Sequence, residues 1–259
     1  MAQVLKDFSL EGKGAVVVGA ESALGRVAAQ ALAEAGAKLL LASQAPGADA
    51  KLNDARKAVE GAGSKAIVRA QDAHSRADLS ATMNAALKEL GRLDIVINAI
   101  DAPYFAPAEA SDDSAFDRVI GANLKTVWRS CQEAGRVMLA HGGGVIVNVT
   151  SILAGRGVPN ATLYCAAKAG VLNLTRAFAL EWARRGVRVN AIEVGWSDDE
   201  GSPAARKDEF AKTLLKYLPY NRLVKPEEIG GALLYLVSPG AGFVTGESIA
   251  VDGGVLARV

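Results

Sequence analysis

The sequence predicts an α/β fold: one doubly wound parallel sheet of about seven strands, flanked by helices on both faces. Three observations carry this expectation. Short, fully apolar runs recur along the chain, too hydrophobic for strands with one wet face. Between them lie stretches whose apolar residues repeat at helical spacing. The alternation continues without a linker, an internal repeat or a low-complexity tract, so residues 1–259 read as a single domain.

Gly14-Ala15-Val16-Val17-Val18-Gly19 is the first buried strand. Leu24, Val27, Ala28, Ala31, Leu32 and Ala35 then mark a helix that Gly36 stops. Lys38 to Ala42 is the second strand, Asp49 to Ala62 a polar helix, and Lys65 to Ala70 the third strand. Leu79, Met83, Ala86, Leu87 and Leu90 line the next helix, closed by Gly91, and Asp94 to Asn98 is the fourth strand. Phe116, Val119, Ile120, Leu124, Val127, Trp128 and Cys131 form one long helical stripe. Asn123 sits inside that stripe, and a buried amide there must be hydrogen-bonded, either structurally or in a relay.

The fifth strand, Val145 to Val149, stops at Thr150-Ser151. A Gly/Pro/Asn-rich connection from Gly155 to Asn160 leads into a helix that runs to about Arg185. Val187 to Ile192 is the sixth strand. Pro226 opens a helix with Glu227 and Glu228 in its first turn, matching the N-terminal dipole, and Ser248 to Val251 is a short last strand.

Composition excludes several functions. Half of the residues are hydrophobic, ample for one large core, and the net charge of +1 leaves no footprint for nucleic acid or an anionic membrane. Two cysteines, Cys131 and Cys165, and two histidines, His74 and His141, make no disulfide framework or metal site. Cys165 reads as a packed helix residue or a redox-sensitive thiol. The first residues lack the apolar core of a signal peptide, and the longest apolar run is too short to span a bilayer. A cytoplasmic location is expected.

The chemistry gathers at the fifth strand. Tyr164 and Lys168 stand at i and i+4, so both leave one helix face. Ser151 lies thirteen residues before the tyrosine, at a strand's carboxyl end, where open α/β sheets bind ligands. A hydroxyl, a phenol and an ammonium meeting there suit proton transfer to a substrate oxygen, with Lys168 expected to lower the phenol pKa. The turn Val18-Gly19-Ala20-Glu21-Ser22-Ala23-Leu24-Gly25, opening a helix, is placed to receive a pyrophosphate, as in a Rossmann-type fold.

With these spacings, and with Asp252-Gly253-Gly254 near its end, the chain resembles the short-chain dehydrogenase/reductase family from Leu10 to Gly254. The resemblance implies an NAD- or NADP-dependent oxidoreductase interconverting a secondary alcohol and a ketone, such as a hydroxyacyl thioester or a cyclic alcohol. It implies Tyr164 as acid/base, Lys168 as its partner and a nicotinamide-ribose ligand, Ser151 as holder of the substrate oxygen, and Asn123 as anchor of a relay water. Asp72 resembles the residue that meets the adenine amino group. The remaining cofactor contacts implied are Gly19, Ser22, Leu24, Ser43, Ala73, Asn98 and Gly195. In the resembling family the two long helices pair across a two-fold axis, so a homotetramer is expected.

Three cofactor motifs depart from the family pattern. Val18 and Ala23 replace a threonine and the middle glycine of the first turn. Ile97-Asn98-Ala99-Ile100 replaces Asn-Asn-Ala-Gly, and Asp199 stands where a threonine would meet the carboxamide. Ser43 replaces the aspartate that would select NAD, while Ser22 and Gln44 replace the arginine that would select NADP. Glu21 would repel a phosphate. The preference is therefore unresolved, with weak discrimination and weakened binding expected. The alternative function is a non-catalytic scaffold subunit in a hetero-oligomer with an active paralogue.

Residues 196–222 resemble the family's substrate lid, with Gly201 and Pro203 as small or turn residues, an acidic Asp198-Asp199-Glu200 patch, and apolar Phe210, Leu214, Leu215 and Tyr217. Arg206, Lys207, Lys212 and Lys216 either meet a phosphorylated substrate or form a solvated face.

Overall fold

Apolar runs with no polar alternation must be covered on both faces, and the architecture follows from that. The computed structural model describes residues 3–199, 202–206 and 209–258. Among them the strands are β1 (Gly14–Val18), β2 (Lys38–Ala42), β3 (Ala66–Arg69), β4 (Ile95–Asn98), β5 (Gly144–Ser151), β6 (Val187–Val194) and β7 (Ser248–Val251). They form one seven-stranded sheet in the order β3-β2-β1-β4-β5-β6-β7, every neighbouring pair parallel. Of the expected lid, Glu200, Gly201, Lys207 and Asp208, with the side chains of Pro203, Arg206 and Phe210, lie outside the described residues.

The helices are α1 (Gln3–Lys6), α2 (Ala23–Glu34), α3 (Asp49–Gly61), α4 (Arg76–Leu90), α5 (Asp113–Ile120), α6 (Thr126–Ala140), α7 (Thr162–Trp182), α8 (Glu209–Tyr217) and α9 (Gly230–Val237). Alternate strand residues feed two cores. Ala15, Val17, Leu39 and Leu41 pack with Leu32 of α2, Leu52 of α3 and Leu233 of α9. Val16, Val18, Leu40 and Val96 pack with Met83 of α4, Met138 of α6 and Trp182 of α7. Serine and aspartate start helices as their chemistry requires: the Ser22, Ser75 and Asp112 side chains accept from the backbone of Gly25, Asp78 and Ala115.

The long stripe expected from Phe116 to Cys131 is not one regular helix. A π-helical turn at Gly121–Lys125 separates α5 from α6. Asn123 lies within it. The amide donates to the carbonyls of Val119 (3.0 Å) and Ala102 (2.9 Å), and its oxygen accepts from the Ala102 N–H at 3.0 Å. Fully buried, Asn123 thereby pins the loop after β4 to the helix. The apolar spacing stays near-helical across the extra residue, so periodicity alone reads through it.

A second buried network locks β4 to β5. Asn98 donates to Asn148 Oδ1 at 2.8 Å and accepts from Ser130 at 2.6 Å, while Asn148 donates to Thr175 at 2.9 Å. Asn148→Leu would leave the Asn98 amide only the weak Cys131 Sγ acceptor at 3.5 Å and take away the donor to the Thr175 hydroxyl, which keeps its own bond to Val171, at a cost of about 1–3 kcal/mol. A denaturation midpoint clearly below that of the parent chain is the expected outcome; an unchanged midpoint would remove this network from the account of stability.

Candidate active site

The strand order reverses between β1 and β4, and a crevice opens there beyond the carboxyl ends of the strands. Gly19, at a φ of +82°, is what lets β1 end so close to β4: a Cβ on it would lie 2.3 Å from the Ala99 carbonyl oxygen. Gly25 lets α2 approach in the same way, since a Cβ there would lie 2.1 Å from the Gly19 carbonyl oxygen. The N-terminus of α2 thus faces a cavity of about 1130 Å³ that extends to Ser151, Tyr164, Lys168 and Trp196.

At the far end, β5 delivers Ser151 and α7 delivers Tyr164 and Lys168, the two side chains one helical turn apart. Lys168 is 2% exposed and donates to the Ile100 carbonyl at 3.0 Å. A buried ammonium also needs a counter-charge, and Asp101 supplies it. One carboxylate oxygen, Asp101 Oδ1, lies 2.7 Å from the Lys168 ammonium and accepts the Tyr164 hydroxyl at 2.7 Å.

This arrangement corrects the expectation that Lys168 lowers the phenol pKa. Tyr164 is held well above the ordinary tyrosine value, first by burial and then by the charge and hydrogen bond of Asp101, with a hydrogen bond to Ser151 opposing them. The phenol is therefore a protonated donor at neutral pH. It can give its proton to an oxygen placed between it and Ser151, but it resists ionisation. Asp101 was missed in the sequence; an acid just past a strand's carboxyl end, beside an altered family motif, was the available signal.

Ser22, Leu24 and Gly195 line the cavity together with Ser151, Tyr164 and Lys168. Ser22 caps α2 and donates to the Gly19 carbonyl at 2.8 Å. Other expected ligands stand off the cavity wall. The Ser43 hydroxyl is buried and donates to the Gln71 carbonyl at 2.8 Å. Asp72 accepts from the His74 N–H at 2.9 Å, and the Ala73 N–H donates to the Gln44 carbonyl at 3.0 Å. The Asn98 and Asn123 side chains are committed to the networks above.

The residues present suit a dinucleotide. The glycine-lined start of α2 offers backbone N–H groups to a pyrophosphate. Beside it, Glu21 has a buried carboxylate oxygen with no partner in the protein, an acceptor waiting for a donor. Ala23, where the family has glycine, lines the same cavity. Cys165 packs against the Ile152, Leu153 and Tyr164 cluster, as a small helix residue would.

A family profile described as enoyl-(acyl carrier protein) reductase matches residues 18–256. A cis-4-hydroxycyclohexanecarboxylate dehydrogenase from Sinomonas cyclohexanicum is 40% identical over 94% of this chain and 96% of its own length. A D-threitol dehydrogenase from Mycolicibacterium smegmatis is 35% identical over 96% of this chain and 94% of its own. The structure of a short-chain type dehydrogenase/reductase from Mycobacterium marinum superposes with a TM-score of 0.90 at 29% identity, covering 99% of this chain and 100% of that one.

Were Tyr164 the base in the oxidation of an alcohol, it would have to ionise, and Asp101 opposes that. Asp101→Asn removes a charge that keeps the phenol protonated, so the rising limb of the pH–rate profile should move to lower pH. An unmoved profile, with the variant still folded, would mean that Asp101 does not govern the proton on Tyr164.

Proposed function

The chain belongs to the short-chain dehydrogenase/reductase family, and on that premise we propose that Tyr164, Ser151 and Lys168 interconvert a cyclic secondary alcohol and its ketone. It is an NAD(P)-dependent oxidoreductase acting on CH–OH groups. The non-catalytic alternative is not favoured by relatives named for dehydrogenase activities. The nicotinamide, when bound, takes or supplies the hydride. In the ketone direction Tyr164 gives its proton to the carbonyl oxygen while Ser151 holds that oxygen. Lys168 presents its ammonium to the same corner, and Asn123 positions the Ala102 segment beside it through the π turn.

The aromatic wall of the cavity carries the choice of substrate. Phe105 lies 6.2 Å from Tyr164 and 6.5 Å from Trp196, ring centre to ring centre. Leu153 belongs to the apolar cluster against which Phe105 and Trp196 pack. Such a surface favours the carbon face of a saturated ring over the hydroxyls of an open-chain polyol. One relative is named for a cyclic alcohol of this kind, cis-4-hydroxycyclohexanecarboxylate. Trp196, the first residue of the expected lid, forms part of this wall.

The assembly proposed is a homotetramer in the cytoplasm, taking a small-molecule substrate. Phe116 on α5, Trp128 on α6 and Leu180 on α7 are 49%, 39% and 83% exposed, apolar surface that subunit pairing would cover. Light scattering should give a particle of four 26.8-kDa chains, and a monomer would contradict it.

Steady-state kinetics test the substrate. A 4-hydroxycyclohexanecarboxylate should exceed D-threitol by at least about tenfold in kcat/KM, the equivalent of about 1.4 kcal/mol of transition-state discrimination. Parity, or a preference for threitol or a hydroxyacyl thioester, would contradict the cyclic-alcohol reading. Tyr164→Phe should lower turnover by about 10²–10⁴-fold or more, and near-normal turnover would remove the phenol from the mechanism.

A further inference from the structure

We propose that Glu21 reads the adenosine ribose and selects NAD over NADP, an inference that rests on the dinucleotide-binding reading above. In a sheet of this kind the pyrophosphate sits on the first helix N-terminus, and the adenosine lies toward the end of the second strand. An acid there accepts from the ribose 2′-hydroxyl, and its usual source is the second strand itself. Here the residue just past that strand is Ser43, whose hydroxyl is buried against Gln71 and cannot turn to a ligand.

The carboxylate arrives from the other side. Glu21, in the turn between β1 and α2, reaches across to the residue following Ser43, and its Oε1 accepts from the Gln44 N–H at 2.7 Å. That bond fixes the carboxylate at the tip of β2, on the cavity wall. Its second oxygen, Oε2, is buried and has no hydrogen-bond partner. A buried carboxylate oxygen left unpaired is costly, and a ribose hydroxyl is a donor of the right kind. A 2′-phosphate offers only acceptors and negative charge to the same atom, so NADP would meet repulsion where NAD finds a bond.

Among the basic side chains that line the same cavity, Arg26 of α2 and Lys51 of α3 are the natural rivals. Arg26 is engaged with the Glu21 carbonyl at 3.1 Å, and Lys51 is exposed on α3. Neither is aimed at the fixed carboxylate by any contact comparable to the Gln44 bond.

Calorimetric titration of the intact chain with NAD and with NADP tests this, together with Glu21→Gln and Glu21→Ser. The parent chain should bind NAD at least about tenfold more tightly than NADP. Glu21→Gln, which keeps the shape and can still accept from Gln44, should bring the two within about threefold, chiefly by strengthening NADP. Glu21→Ser should do the same if the glutamine variant folds poorly, as checked by thermal melting. Parity or an NADP preference in the parent chain would overturn the proposal and leave Arg26 and Lys51 as the phosphate readers. An NAD preference that survives in both variants would equally overturn it. Failure to bind either dinucleotide would bring down the dinucleotide reading itself, a result distinct from binding without the expected preference.

Discussion

A buried ammonium organises this molecule. Lys168 is almost fully withdrawn from water at the carboxyl edge of the sheet, and removing a charge from water costs several kcal/mol unless it is paired. The pairing comes from one short segment, the Ile100 carbonyl and the Asp101 carboxylate, just past β4. That segment must therefore be held still. Asn123 does so by bonding both ways to the Ala102 peptide, and the π turn in the α5–α6 helical run is the backbone distortion that lets its amide reach.

The same carboxylate oxygen that neutralises Lys168 also takes the Tyr164 proton bond, so the charge balance of the core and the chemistry of the site are coupled. Where a lysine acts on a tyrosine without an intervening acid, it favours the phenolate. Here the acid intervenes and favours the phenol. Burial and the Asp101 bond thus hold the phenol protonated, the form that donates to a carbonyl oxygen. At the other end of the cavity, Glu21 braces the tip of β2 with one oxygen, while its other oxygen is buried without a partner.

Most of the fold was legible because each strand is a short apolar run and each helix keeps its period; β2 and β7 match residue for residue. The π turn was not, since an inserted residue leaves Asn123 among apolar neighbours at near-helical spacing. The positions of Ser151, Tyr164 and Lys168 followed from one strand and one helix, local geometry that spacing encodes. Asp101 and the bond from Gln44 to Glu21 join residues brought together only by the strand order, 63 and 23 positions apart in the chain. Spacing records neither meeting; only the place of Asp101, just past a strand's carboxyl end, pointed toward a role. The partners of Ser43 and Asn98 were hidden for the same reason: their hydroxyl and amide look available until the packing of Gln71 and Asn148 is known.

The proton on Tyr164 is the most direct gauge of this account. NMR of the chain labelled at tyrosine Cζ, with Tyr164→Phe to assign the signal, reports the ionisation of that phenol in the free protein. The account predicts that the Tyr164 signal keeps its neutral-phenol position at a pH of about 10, where an unperturbed tyrosine is about half ionised. A signal that moves to the phenolate position near neutral pH would show Lys168, not Asp101, in command of the phenol, and would contradict it.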